Sequence, residues 1–405
     1  MHQDAKRCLK CKNALCQKFC PVHTDVPTII ALYNNDDKLS AQTLLFDNNP
    51  LSAVCSLVCD WQRQCYGHCV LNAKKDPIHF YEIEQELSLE YLQNSHFSKN
   101  EITKDKVAIV GAGPAGIVAA IKLSDDGYNV TIFEKQSYIG GVLRYGIPEF
   151  RLAKDIVDNY ARILKEKGIA IRNNVEIGVS LSLQQLKDDG FKAILVATGA
   201  SKPKGLNIKN ETASNVAYAI DFLKNSESFV FGKKIIVLGG GNVAIDAARS
   251  ANKLGYDTYI YYRKTLADMP ANVLEVEEAI EEGVKICDFE VPMEIVDGGM
   301  IFAKGENVIS EDGRKKTRII DNTEHFVECD GIIVAVSQTL NPDLKGELAL
   351  NKYEFYDTNE DRMTSMDGVF VAGDAYLGAK TVVMAVQDAK EAVDKMKAYL
   401  ESKHG

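Results

Sequence analysis

The sequence predicts an α/β chain: a helical, cysteine-bearing module followed by two doubly wound parallel-sheet domains, the second inserted into the first. Three observations carry this. Eight of the ten cysteines lie within the first 69 residues. A strand, a glycine turn, a helix and a second strand follow one another from residue 106, and the same unit recurs from residue 234. Apolar strand-like runs flank the second unit and return near the C-terminus, as a split first sheet requires.

The cysteines of the module stand at Cys8, Cys11, Cys16 and Cys20, then at Cys55, Cys59, Cys65 and Cys69. The first group reads CxxC, CxxxxC and CxxxCP, the second CxxxC, CxxxxxC and CxxxC, intervals that suit thiolate ligands of iron–sulfur clusters or of zinc. A disulfide framework is the rival reading. It calls for an oxidising compartment, and the chain opens Met1-His2-Gln3-Asp4-Ala5-Lys6-Arg7 with no apolar run behind it. Apolar residues at three- and four-residue spacing, among them Ile29, Ile30, Leu32 and Tyr33 and then Leu44, Leu45 and Phe46, predict helices between about Thr24 and Leu92. Pro27, just after Asp25, suits a first helical turn, and the polar stretch from Gln93 to Asp105 reads as a linker.

Lys106-Val107-Ala108-Ile109-Val110 reads as a buried strand. It runs into Gly111-Ala112-Gly113-Pro114-Ala115-Gly116, a helix to about Asp126, and the strand Val130-Thr131-Ile132-Phe133 ending in Glu134. This is a dinucleotide fingerprint in full context. The glycines allow a tight turn and close phosphate approach, the helix N-terminus faces the pyrophosphate, and the acid meets the ribose hydroxyls.

The unit recurs as Lys234-Ile235-Ile236-Val237-Leu238, Gly239-Gly240-Gly241-Asn242-Val243-Ala244, a helix to about Leu254, and Thr258-Tyr259-Ile260-Tyr261. Where the first copy has its ribose acid, the second has Tyr262, followed by Arg263 and Lys264. A carboxylate repels a ribose 2′-phosphate, whereas guanidinium and ammonium groups bind it. The first site is therefore expected to hold a dinucleotide without that phosphate. The second is expected to favour NADP(H), with NADH as the alternative. Strands at Ala193-Ile194-Leu195-Val196 and Asp330-Gly331-Ile332-Ile333-Val334-Ala335 frame the second unit, and Val369-Phe370-Val371-Ala372-Gly373-Asp374 precedes a last helix from about Thr381. Residues 104–203 and 330–405 are thus assigned to the first nucleotide domain, 204–329 to the second and 1–98 to the helical module.

With 26% charged residues and no uninterrupted apolar stretch long enough for a bilayer, the chain reads as a cytoplasmic globular protein without a membrane segment. A formal net charge of −10, with no long Lys/Arg cluster, speaks against nucleic acid and membrane surfaces as partners. Neither a Ser/His/Asp set nor an HExxH motif suggests hydrolysis. No cysteine falls between Val70 and Ile286, and Cys287 and Cys329 form no CxxC, so a redox disulfide beside the nucleotides is unsupported.

Taken together, these stretches resemble two-dinucleotide-domain flavoproteins, the family of the glutamate synthase small subunit and the N-terminal part of dihydropyrimidine dehydrogenase. The resemblance runs from Arg7-Cys8-Leu9-Lys10-Cys11 to the final helix and includes Gly140-Gly141-Val142-Leu143-Arg144-Tyr145-Gly146-Ile147-Pro148 and Met269-Pro270-Ala271. In length the chain is similar to the short electron-input subunits of bacterial NAD-dependent dihydropyrimidine dehydrogenases. The resemblance implies FAD at Gly111, Gly113, Pro114, Ala115, Gly116, Glu134, Lys135, Gly141, Leu143, Arg144, Arg151, Gly373, Asp374, Thr381 and Val382. It implies NADP(H) or NAD(H) at Gly239, Gly240, Gly241, Asn242, Val243, Arg263 and Lys264, although Leu266 stands where NADP-using relatives often carry arginine. It further implies two [4Fe–4S] clusters, one on Cys8, Cys11, Cys16 and Cys69 and one on Cys20, Cys59, Cys65 and Glu84. Cys55 is then left over and reads as a small buried hydrophobe.

A nicotinamide gives up a hydride, a flavin accepts it, and iron–sulfur centres carry single electrons, so the combination implies a relay. The relay also selects iron–sulfur over zinc, which has no redox role. The chain is thus expected to be an NAD(P)H-dependent oxidoreductase with no catalytic side chain beyond its cofactors. No segment remains for an FMN barrel or an amidotransferase, which puts the final substrate on a partner catalytic subunit. Two other readings stand beside this one. The first is a self-sufficient enzyme that passes electrons to ferredoxin or a small acceptor, with or without bifurcation. The second is a non-catalytic nucleotide-binding redox or zinc sensor.

Overall fold

Four short apolar runs and a more polar edge strand build the first sheet, all parallel, in the order Val369–Val371, Ala193–Val196, Lys106–Val110, Asn129–Glu134 and, at the edge, Ala170–Asn173. The central strands are buried along almost their whole length because crossover helices cover both faces, so they are continuously apolar rather than alternating. The computed structural model describes residues 3–310, 313, 315–340, 344 and 346–404 and divides into two units. The first holds the residues up to Arg144, Glu149–Ala200 and those from Leu340 on; the second holds Tyr145–Pro148 and Ser201–Thr339.

In the first unit the helix Pro114–Asp125 starts directly after the glycine turn with proline at its first position, where the missing N–H costs nothing. The N-terminal module contributes the helices Val26–Asn34, Lys38–Asn48, Ser52–Val58 and Phe80–Asn94. Asp25 and Asp37 cap the first two, their carboxylates accepting from the Thr28 N–H at 3.3 Å and the Ser40 N–H at 3.2 Å. Ile29, Ile30 and Tyr33 are buried, as their spacing predicts, against Leu45, Ile83 and Leu87.

The module is not a separate body but part of the first unit. Three cations of the sheet domain hold the C-terminal ends of two of its helices. The Lys122 ammonium donates to the Asp47 carbonyl, and Lys390 donates to both the carbonyl and the side-chain oxygen of Asn48 at 2.9 Å. Arg162 donates to the carbonyls of Leu92 at 2.6 Å and Ser95 at 3.0 Å. Cations at these ends satisfy orphan carbonyls and complement the helix dipole.

The second unit has its own five-stranded parallel sheet, ordered Val216–Tyr218, Gly331–Val334, Lys234–Leu238, Asp257–Tyr261 and Lys285–Cys287. The strand Gly331–Val334, which the sequence reading gave to the first domain by starting it at residue 330, therefore lies inside the second sheet. A four-residue, fully apolar strand carries no sign of which parallel sheet it will join, and pairing alone settles it. A second difference is an antiparallel sheet that the sequence reading did not foresee. Glu290–Val296, Gly299–Ile309 and Lys315–Ile319 pair in that order, and His325–Glu328 also pairs with Gly299–Ile309. Among the described residues no helix is long and apolar enough to cross a membrane.

Candidate cofactor sites

The eight cysteines of the module line two hollows in the first unit. Cys8, Cys11, Cys16 and Cys69 face one, together with Leu9, Leu15 and Val70. Cys20, Cys59 and Glu84 face the other, together with Cys55 and Val383. Cys65 lines both. Among the described residues no three His, Cys, Asp or Glu side chains converge on the position of one metal ion; the thiols ring open space instead. All ten cysteines are free thiols. Cys55, read from the sequence as a bystander, is buried as expected, yet it lies on the wall of the second hollow beside Cys59.

Burial sets the acidity of these groups. It pushes the Cys16 thiol up to about 11 and raises Cys20 and Cys65 above the usual thiol range. Cys59 is raised first by its hydrogen bond with the Cys55 thiol and then by burial. Glu84, only 9% exposed, is pushed up to about 8 by burial. Burial thus favours the protonated forms of Cys16, Cys20, Cys65 and Glu84, and a metal bound by them must expel those protons. The helix Phe80–Asn94 presents Glu84 on the same buried face as Phe80, Ile83 and Leu87. The stacked rings of Trp61 and Tyr81, 3.9 Å apart, line the second hollow as well.

The glycine turn at the first sheet forms a cradle of bare backbone. A Cβ on Gly116 would stand 2.0 Å from the Gly111 carbonyl oxygen, and one on Gly141 would stand 2.8 Å from Gly113 Cα, so helix start, turn and second loop touch through glycine alone. Glu134 is buried at the end of its strand. Its two oxygens accept from the backbone N–H groups of Ala112 and Gln136, both at 2.8 Å, so it braces the turn. Gly373 has φ +69°, and a Cβ there would meet the Ala115 Cβ at 2.8 Å. Its N–H donates to Asp388 at 2.6 Å, and Asp388 pairs in turn with the buried Arg362. The sequence reading missed this Arg362–Asp388–Gly373 brace, because nothing in the local pattern of either residue marks it.

Next to Gly373, burial and the nearby Asp388 push Asp374 up to about 7, against the lowering effect of the Lys380 N–H that donates to it. The Thr381 hydroxyl is buried and has no hydrogen-bond partner, and Val382 follows it at the start of the last helix. An orphaned hydroxyl beside a glycine cradle fits a flavin bound across this crest. The other residues assigned to FAD divide. Pro114 and Ala115 lie buried at the helix start and Arg151 is half-buried. Leu143 is fully buried in the core. Lys135 pairs with Glu176 at 3.5 Å, and Arg144 pairs with Asp158 and donates to the Ile139 carbonyl at 3.0 Å. Arg144 thus holds its own loop rather than offering a free cation.

Asp374 supplies a pH test. Its folded value lies above the ordinary aspartate value of 3.8, so the stability it contributes is full below that value and is lost as pH rises through about 7. In protein stripped of flavin, Asp374→Asn is expected to melt at a higher temperature than the parent above pH 7 and at the same temperature near pH 4. Parallel melting curves across that range would show that Asp374 does not titrate this way.

In the second unit, Gly239 turns the chain after Leu238 and the helix Asn242–Lys253 follows. A Cβ on Gly241 would meet nothing within 4 Å, leaving the helix N-terminus open to a pyrophosphate. Gly240 packs on the Tyr262 ring, and its carbonyl accepts from the Ala271 N–H at 3.2 Å. The Asn242 side chain accepts from the Asn272 N–H at 2.8 Å, and Val243 packs into the core. Arg263 is exposed and makes no ion pair among the described residues. Lys264, by contrast, donates to the Lys315 carbonyl at 3.4 Å. Lys315 pairs with Asp268 at 2.8 Å, which helps to hold that carboxylate well below its ordinary range. The antiparallel sheet therefore brings an anion–cation pair to the loop that follows Arg263 and Lys264, a feature with no signature in the sequence.

Residues 105–390 match the family described as pyridine nucleotide-disulphide oxidoreductase, and residues 1–95 match the dihydropyrimidine dehydrogenase domain II, 4Fe-4S cluster family. The chain is 34% identical to the NAD-dependent dihydropyrimidine dehydrogenase subunit PreT of Salmonella typhimurium, over 98% of this chain and 94% of that one. It is 30% identical to the small chain of glutamate synthase [NADPH] of Escherichia coli, over 98% and 91%. Among solved structures, Mycobacterium tuberculosis FprA in complex with NADPH shares the fold with a TM-score of 0.68 at 17% identity, covering 74% of this chain and 85% of that one.

Proposed function

The chain belongs to the pyridine nucleotide-disulphide oxidoreductase family, and from that premise we propose that it moves electrons from NAD(P)H through FAD and two [4Fe–4S] clusters to a separate catalytic subunit. It is an NAD(P)H-dependent oxidoreductase with an iron–sulfur domain. One observation carries the finer reading: the residues of the first unit stand in series. Thr381 and Val382, which we assign to the flavin, directly precede Val383, which lines the second hollow, and Cys65 lines both hollows. When bound, the flavin converts a two-electron hydride into single electrons that iron–sulfur clusters can carry. The chain's own residues hold these groups in order, with the second hollow walled by buried side chains such as Val383 and the first open at its rim.

A partner is supported by the relatives' own names, which describe a subunit and a small chain. Anaerobic addition of NADH or NADPH is expected to bleach flavin and cluster absorption together, with about eight irons per chain. Flavin bleaching with unchanged cluster absorption would sink the relay. For the eighth ligand, Glu84→Ala is expected to lose the iron of the second hollow, while Cys55→Ala keeps it, read by iron analysis. The reverse outcome would exchange their roles.

Arg263 supports binding of the 2′-phosphate, since it is the cation there with no internal partner among the described residues, while Lys264 is tied to a carbonyl. Arg263→Ala is expected to raise KM for NADPH by roughly 10-fold with little change for NADH. Equal effects on both nucleotides would remove that role.

A further inference from the structure

The rim of the first hollow carries a surface the proposed relay has not used. Leu9, Leu15 and Val70 line that hollow and yet remain 63%, 40% and 41% exposed. Phe19, 44% exposed, stacks its ring on His68 at 3.5 Å, beside Cys69. Three large exposed apolar side chains thus rim one opening, and a fourth, also exposed, stacks on the residue next to Cys69, where a monomer gains nothing by exposing them.

The charge around them is inverted relative to the rest of the chain. Residues 3–30 and 61–79, which supply nearly the whole wall of this hollow, hold eight Lys and Arg against three Asp and no Glu, in a chain of net charge −10. Six of these cations, Lys6, Lys10, Lys12, Lys18, Lys74 and Lys75, are exposed and make no ion pair among the described residues. The three acids do not offset them. Asp4 and Asp76 are bound to Arg7 at 2.6 and 2.5 Å, and Asp25 caps its own helix. An apolar opening built from segments that carry unspent positive charge has the anatomy of a docking face, with the charge steering the encounter and the apolar centre holding it.

Resting on the relay reading, we propose that this face docks a separate protein whose one-electron centre lies beneath an acidic surface. The exchange balances as one NAD(P)H and two oxidised acceptors giving NAD(P)+, one proton and two singly reduced acceptors. The second hollow presents no such face to a partner: its wall includes Val383 of the last helix and the stacked pair Trp61 and Tyr81.

The test uses the full holoprotein with two haem proteins of opposite charge, acidic cytochrome b5 and basic cytochrome c, and a small neutral quinone as a third acceptor. With the wild-type chain, cytochrome b5 reduction is expected to fall about fivefold or more between low and high salt. A Lys12→Glu, Lys18→Glu, Lys74→Glu triple variant is expected to lose at least about fivefold in kcat/KM for cytochrome b5, gain for cytochrome c and keep the quinone rate. A smaller loss in the variant, or a salt-independent wild-type rate, overturns the docking face. Absence of quinone and haem reduction by the wild-type chain, in contrast, would indict the relay reading itself. Should the variant fail to fold, the salt dependence of the wild type decides alone.

Discussion

Cys65→Ala should separate the two halves of the relay: flavin reduction by NAD(P)H should continue near the parent rate, while output to a protein acceptor falls on the order of 100-fold. The reason is position. Cys65 is the cysteine that lines both hollows, and it sits beside Tyr66 in the segment between Cys59 and Cys69, where no helix or strand gives it an alternative support. Its loss should lower iron from about eight atoms per chain to about four or fewer, read by iron analysis and by cluster absorption. A variant with parental iron and parental output would show that the two hollows do not share a ligand-bearing wall. Flavin content serves as the control, since the glycine cradle contains no cysteine.

Gly116→Ala should strip FAD and destabilise the first unit by about 3 kcal/mol. The added Cβ would stand 2.0 Å from the Gly111 carbonyl oxygen and 3.4 Å from the Ile109 side chain. Backbone cannot rotate away as a side chain can, so the turn must open, and the turn is what would meet the pyrophosphate. Gly190→Ala gives the contrast. Gly190 has φ +89° but open space around its Cβ position, so that change should cost only about 1 kcal/mol and leave flavin bound. Denaturation midpoints and bound flavin per chain measure both. Equal flavin retention in the two variants would mean that close packing at Gly116 is not what shapes the cradle.

Local chemistry was legible and long-range pairing was not. The glycine turns, the acid at Glu134 and the cysteine spacings are short patterns whose backbone demands are met within about thirty residues, so the sequence displays them directly. The strand Gly331–Val334 is apolar throughout and could join either parallel sheet; only its pairing with Val216–Tyr218 and Lys234–Leu238 decides. The antiparallel strands were missed for another reason. Lys315–Ile319 is almost wholly exposed and rich in cations, and His325–Glu328 is only four residues long with no buried position, so neither carries the apolar contrast that marks a strand. Beside Gly373, Asp388 lies two turns into a long helix and Arg362 on a loop before a strand, and only the fold makes them partners.

The hold of Lys390 on Asn48 spans 342 residues and has a consequence for biosynthesis. The module that bears the thiols is synthesised some three hundred residues before the helix that pins it and supplies Val383 to the second hollow. Until that helix emerges, a nascent chain would therefore expose the cysteines of the second hollow with one of its walls missing. Loading of the second hollow should wait until that helix has been made and has packed, and a chain truncated before residue 382 should accumulate with the second hollow unfilled even where iron is plentiful.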